Sequence, residues 1–156
     1  MKFILGIDPG LSGALAFFDP ETEELEVHDM PVHVINKKNH IDLYALALLV
    51  DSYPVKKAII ENPGAMPGQG VTSMFRFGYA CGVAQAMVAA HLIPMDLVRP
   101  AKWKKAMGLT KDKDACRQRA SQTWPQHAKL WPLKKHDGRA EAALLALYHC
   151  ENGGLK

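Results

Sequence analysis

Apolar residues fall into short runs punctuated by turn-forming dipeptides over the first hundred positions, and into helical periods afterwards. Positions 2–8 are nearly continuously apolar and include β-branched and aromatic members, which predicts a buried central strand. Pro9-Gly10-Leu11-Ser12-Gly13 reads as a tight turn, and 14–18 returns as a second strand to close a hairpin. Leu25 and Val27 alternate with Glu24, Glu26 and His28, the pattern of a half-exposed third strand. Leu43, Leu46, Ala47 and Val50 share one face of a helix predicted over 41–52. Positions 57–61, bounded by Pro54 and Pro63, are too short for anything but a fourth strand.

The segment 63–70 is rich in glycine and proline and reads as a loop. A long helix then runs from Thr72 to His91, in which Gly78, Gly82, Ala86 and Ala90 recur every four residues. Each interior glycine costs roughly 1 kcal/mol relative to alanine. Close packing against another backbone, inside the monomer or across a two-fold interface, would offset that cost. Positions 94–98 form a fifth strand, followed by basic helices near 101–107 and 112–124. A last helix over 137–150 has Ala140, Ala143, Leu144 and Leu147 on its apolar face. The order predicts an α/β fold with a five-stranded mixed sheet flanked by helices, in one domain spanning 1–156.

Composition changes this picture little. The chain has 156 residues, 48% hydrophobic and 22% charged, which is ordinary globular material. No apolar run approaches a membrane span. The apolar start is cut off by Asp8-Pro9 without a cleavage site, so it does not read as a secretory signal. Cys81, Cys116 and Cys150 are odd in number and scattered, as expected of thiols in a reducing compartment. The expected location is cytoplasmic, or a host cytoplasm for a viral gene.

Charge is distributed unevenly. The net charge is only +3, yet twelve lysines and arginines face three aspartates between Arg99 and Arg139. Such a block suits a polyanion, because each phosphate contact releases counterions; solvated helix faces are the simpler alternative. Trp103, Trp124 and Trp131 lie within the block and read as core residues rather than stacking platforms.

Four carboxylates stand out against this background. Asp8 ends the first buried strand and shares its face with Ile4 and Gly6, while Phe3, Leu5 and Ile7 occupy the other. An Asx turn with Pro9-Gly10 would also account for it. Glu61 follows two isoleucines at the end of the fourth strand, where glutamate has no comparable turn role. Asp137 sits where a helix cap belongs, and Glu141 would be favourable near the helix dipole without any catalysis. Their i, i+4 spacing nevertheless puts both on one side of the helix. Taken together, an oxygen-rich set without thiolates suits Mg²⁺, with Mn²⁺ able to substitute, and points to metal-assisted phosphodiester hydrolysis. His136, beside Asp137, is a candidate auxiliary group.

The quoted segments Ile4-Leu-Gly-Ile-Asp8-Pro-Gly10, Ile59-Ile-Glu61, the Gly78–Ala90 stretch, Arg99-Pro-Ala-Lys102 and Arg139-Ala-Glu141 through Cys150 occur in one order over nearly the whole chain. In this the sequence resembles the RuvC-type Holliday junction resolvases of the RNase H-like superfamily, and its compact form resembles phage-type relatives. The resemblance implies a homodimer that binds four-way junctions in branched DNA and cuts two strands with Mg²⁺. It would make Asp8 and Glu61 strand-borne ligands and put Glu141 in place of the usual final aspartate. A fourth acidic position normally lies three residues earlier. Gly138 stands there instead, so Asp137 and His136 both remain candidates to complete the site. A junction-wedging aromatic is usual in the loop after Glu61, and Met66, Met74 and Phe75 are the residues available. Lys102, Lys104, Lys105, Lys111 and Lys113 are expected to contact phosphates. The competing readings are a catalytically silent DNA-binding domain of the same fold, which Gly138 favours, and a sugar-kinase or actin-like ATPase. The chain is too short for the two lobes of such an ATPase.

Overall fold

The computed structural model describes residues 2–65, 67–110 and 112–153, apart from the side chain of Lys113. Strand β1 (Phe3–Asp8) forms the middle of a five-stranded sheet. It pairs antiparallel with β2 (Ala14–Phe18) and parallel with β6 (Val55–Glu61). Strand β3 (Leu25–Asp29) adds antiparallel to β2, and β7 (Met95–Val98) adds parallel to β6, giving the order β3-β2-β1-β6-β7. The parallel register sets Ile7 beside Ile60, so the chain leaves both strands at the same sheet edge, where Asp8 and Glu61 end them.

The alternation expected along β1 is realised as two cores. Phe3, Leu5 and Ile7 pack with Leu46, Val50, Ala80, Ala84 and Val88 beneath helices α1 (Leu43–Asp51) and α2 (Val71–Ala90). Ile4 packs on the opposite face with Trp103, Cys116, Trp124 and the alanines of α5 (Asp137–Asn152). That second face also receives α3 (Pro100–Ala106) and α4 (Lys113–Thr123). The three tryptophans are core residues, none more than 3% exposed.

Gly6 decides how closely α5 can lie on the sheet. A Cβ there would fall 2.0 Å from the Ala142 carbonyl oxygen and 2.8 Å from the Ala146 nitrogen. With Ala142, Ala143 and Ala146 fully buried opposite it, the helix backbone rests almost directly on β1. This approach brings the start of α5 over Asp8.

The structure adds to the predicted set two 3₁₀ turns, Pro125–Leu130 and Lys134–His136, and a hairpin. Strands β4 (Val32–Ile35) and β5 (Lys38–Ile41) form a separate two-stranded hairpin between β3 and α1. Its turn places Asn36 and Lys37 at φ 50° and 61°, the left-handed pair that a tight hairpin turn requires. No helix among the described residues is long and apolar enough to cross a membrane.

Candidate active site

Each carboxylate of the site is delivered by a different element. Asp8 ends β1, Glu61 ends β6, and Glu141 faces them from the second turn of α5. A carboxylate oxygen from each of the three lies within 4.8 Å of the others. Glu61 and Glu141 are buried and Asp8 is half-buried. They line a cleft of about 500 Å³ together with the Pro9–Gly13 turn, Lys104 and Asp137.

The electrostatics follow from that crowding. Asp8 is pushed well above the ordinary carboxylate range, first by burial and then by the charges of Glu141, Glu61 and Asp137. Burial, followed by Glu141, also raises Glu61. Like charges this close are unfavourable until a cation joins them. Among the described residues one cation pairs directly with the cluster: the Lys104 ammonium donates to Glu141 Oε1 at 2.6 Å, while Arg76 also lines the cleft. Burial works against that charge, but the hydrogen bond and charge of Glu141 hold Lys104 above its ordinary value. Three hard oxygen donors around one point, with a single lysine against them, fit a hard divalent cation.

Other side chains fix the ligands in place. The Trp103 indole N–H, fully buried in α3, donates to Glu61 Oε2 at 2.6 Å. The Cys116 thiol approaches Glu141 Oε1 at 3.7 Å and is pushed up to about 12, first by burial and then by Glu141. It is a packing group rather than a nucleophile. Gly138 explains the missing acid. A Cβ there would stand 2.7 Å from the Ser12 carbonyl oxygen and 2.9 Å from Asp8 Oδ2. In this chain a side chain at that position would be crowded by the Ser12 backbone and by the Asp8 carboxylate.

Asp137 lines the cleft and acts electrostatically on Asp8, while standing outside the tight group of three. Its Oδ1 accepts the Gly138 N–H at 3.0 Å, so it also serves the helix start. His136 is not among the residues that line the cleft. The 3₁₀ turn Lys134–His136 carries it out of the cleft, and its Nδ1 faces the Leu133 N–H at 3.3 Å. Its charged neighbours are Arg139, Lys135, Asp29 and Arg117 rather than the carboxylate cluster.

Among the expected phosphate contacts, Lys102 and Lys105 are exposed on α3, whereas Lys104 is turned inward onto Glu141. Lys111 and the side chain of Lys113 lie outside the described residues, as does Met66, one of the three wedge candidates. Phe75 is prominently exposed near the start of α2. Trp103 and Cys116 were not legible as site residues. Their contacts span 42 and 25 positions, and neither belongs to a motif.

No protein-family profile matches the chain. The crossover junction endodeoxyribonuclease RuvC of Christiangramia forsetii is 26% identical over 161 residues, covering 98% of this chain and 81% of that protein. Among solved structures, Thermus thermophilus RuvC superposes with a TM-score of 0.63 at 12% identity, covering 97% of this chain and 96% of the other. The same protein in complex with a Holliday junction substrate gives 0.61 at 12% identity, over 98% and 97% of the two chains. The fowlpox virus Holliday junction resolvase gives 0.53 at 15% identity, over 96% and 97%. The mixed five-stranded sheet with its flanking helices is therefore the fold of RuvC, the RNase H-like fold.

Proposed function

We propose that this chain, a distant sequence relative of RuvC that shares its fold, is a metal-dependent endonuclease resolving four-way junctions in branched DNA. One observation carries the proposal: Asp8, Glu61 and Glu141, from two strands and a distant helix, converge on a single point at the floor of a cleft. Folding brings three acids together at a cost in repulsion, and a divalent cation relieves that cost.

In this reading Asp8, Glu61 and Glu141 hold Mg²⁺, or Mn²⁺ in its place, and Asp137 at the cleft wall is the fourth acidic participant. A bound divalent ion supplies charge neutralisation at the phosphate and an activated water. The chain's own residues do the rest. Trp103 holds one Glu61 oxygen and leaves the other available. Lys104 balances the cluster before the substrate arrives and is within reach of the phosphate once it does. Lys102 and Lys105 add positive charge along α3, as do Lys111 and Lys113 beyond it.

The reading also calls for a homodimer, so that two sites cut two strands. Helix α2 supports this. Gly78, Gly82, Ala86 and Ala90 are all exposed, and among the described residues nothing lies within 4 Å of where a Cβ would stand on either glycine. The monomer does not use the small residues, and close contact with a second copy of α2 would.

Gly138 favours a second reading, a domain that binds junctions without cutting them. One experiment separates the two. Labelled four-way junctions, forks, flaps and linear duplexes are incubated with and without Mg²⁺ or Mn²⁺. Paired symmetric nicks in the junction that require the metal are expected. Tight junction binding with no cleavage under either ion would establish the silent domain instead.

A further inference from the structure

A second concavity adjoins the carboxylate cleft. It lies between the segment that follows β6 and helix α3, measures about 770 Å³, and shares Pro100 and Lys104 with the cleft. Among the described residues, its charged lining besides Lys104 is Arg99 and Lys105, with no carboxylate. Arg99 stands immediately before α3, and its Nη1 lies 3.6 Å from where a Cβ on Gly64 would be. The guanidinium thus lies alongside the Gly64 backbone, and both residues line the groove. Among the described residues, neither Arg99 nor Lys105 has an ion-pair partner, although Lys104 between them is committed to Glu141. Two unpaired cations on one wall of a groove leading from an acidic cleft are arranged for an anion that continues past the reaction centre.

We propose that this groove is a phosphate-binding subsite. Arg99 and Lys105 grip a phosphodiester of the cleaved strand adjacent to the one presented to Asp8, Glu61 and Glu141. The inference rests on the nuclease reading and deepens it, because it assigns the direction in which the strand leaves the cleft: past Pro100 and Lys104, along α3 toward Lys105 in its last turn. The planar guanidinium takes a phosphate through two parallel N–H donors, and the ammonium adds a point charge.

The test is an interface cycle on the full-length protein, with junction binding measured in the absence of divalent ions. Single phosphates flanking the cut position are replaced one at a time by neutral methylphosphonates. In the native protein one such replacement should weaken binding about fivefold to tenfold, the scale of a lost charge-assisted contact. Arg99→Ala combined with Lys105→Ala should weaken binding of the unmodified junction by about the same factor. It should also lower the slope of log affinity against log salt by about 1 for each cation removed. In that variant the critical methylphosphonate should cost nothing more, while replacements elsewhere keep their full effect. Losses that multiply at every flanking position would overturn the subsite. Failure of the native protein to bind or cut the unmodified junction would instead overturn the nuclease reading, and the subsite with it. Both side chains are exposed, so a thermal melt matching the native protein checks that the variant is folded.

Discussion

The two faces of the sheet are covered very differently. On one, α5 buries nine of its sixteen residues, a run of alanines that lets its backbone lie against β1. On the other, α2 buries four of twenty, and Phe75 and Tyr79 remain 76% and 50% exposed along it. The β4–β5 hairpin beside it exposes Val34 and Ile35 as well. Such exposed apolar side chains are what the proposed dimer surface would bury. The first face is covered within one chain and carries the carboxylate cluster; the second is where the proposed dimer would place its second copy. This division predicts that damage to the α5 side abolishes cleavage in each subunit, whereas damage to the α2 side separates subunits that are still folded.

The largest effect is expected at the centre of the covered face. Asp8→Asn should reduce cleavage by about 10⁴-fold, the scale seen when a residue acting with its neighbours as one unit is removed, and leave junction affinity intact. The same change removes a charge that Glu61, Glu141 and Asp137 all oppose. In metal-free buffer it should therefore raise the melting temperature by roughly 2–4 °C, equivalent to about 1 kcal/mol in a domain of this size. A variant that cuts at the native rate, or that melts lower without metal, would contradict the crowded-carboxylate account.

The open face is tested by Gly82→Glu. A Cβ there meets nothing among the described residues, and glycine is the poorest helix former short of proline. The substitution should leave monomer stability unchanged or up to about 1 kcal/mol higher. Two carboxylates meeting across a two-fold axis would cost several kcal/mol. Sedimentation velocity should show a native dimer and a variant monomer with a native melting curve. If Gly82→Glu unfolds the monomer, or the dimer persists, α2 is not the shared surface.

Gly138→Ala returns to the covered face with a smaller expected cost. Its methyl group would press on the Ser12 carbonyl and the Asp8 carboxylate, both within 3 Å. The Ser12 backbone has little freedom to yield, so about 1–3 kcal/mol of stability should be lost, as is usual for overpacking. Chemical denaturation measures it. A neutral result would mean that the position could accept an acid, and that this chain simply lacks one.

These contrasts also explain what the sequence could and could not convey. The strands β1, β2, β3, β6 and β7 and all five helices were legible, because each carries its period or its bounding prolines and glycines locally. Even the two faces of β1 could be read, from Ile4, Gly6 and Asp8 against Phe3, Leu5 and Ile7. The β4–β5 hairpin was missed because its turn is Asn36-Lys37, without the glycine that advertises such turns. His136 looked like a neighbour of the site because adjacency in sequence says nothing about where a 3₁₀ turn points a ring. Lys104 was indistinguishable from Lys102 and Lys105 in the chain. Only the packing of α3 against α5 turns one of the three inward. The acids were visible at strand and helix ends, but their convergence depends on Gly6 admitting α5, a contact no local pattern encodes.

The smallest expected effect is the most discriminating, because it separates ligand positioning from packing within one core. Trp103 and Trp124 are both buried in the cluster under α5, yet among the described residues only Trp103 donates to a carboxylate of the site. Trp103→Phe and Trp124→Phe remove similar volume, so both should destabilise the fold. The first alone should weaken Mn²⁺ binding, by about tenfold, the usual scale for losing a hydrogen bond that orients a metal ligand. Calorimetric titration of Mn²⁺ reads this without any DNA. Replacing Trp103 by 3-benzothienylalanine, which keeps the bicyclic shape and puts sulfur where the N–H was, should reproduce the loss of metal affinity with the packing nearly intact. Equal Mn²⁺ affinities in both phenylalanine variants would show that Glu61 is positioned by the strand end alone, and that the indole contributes only volume.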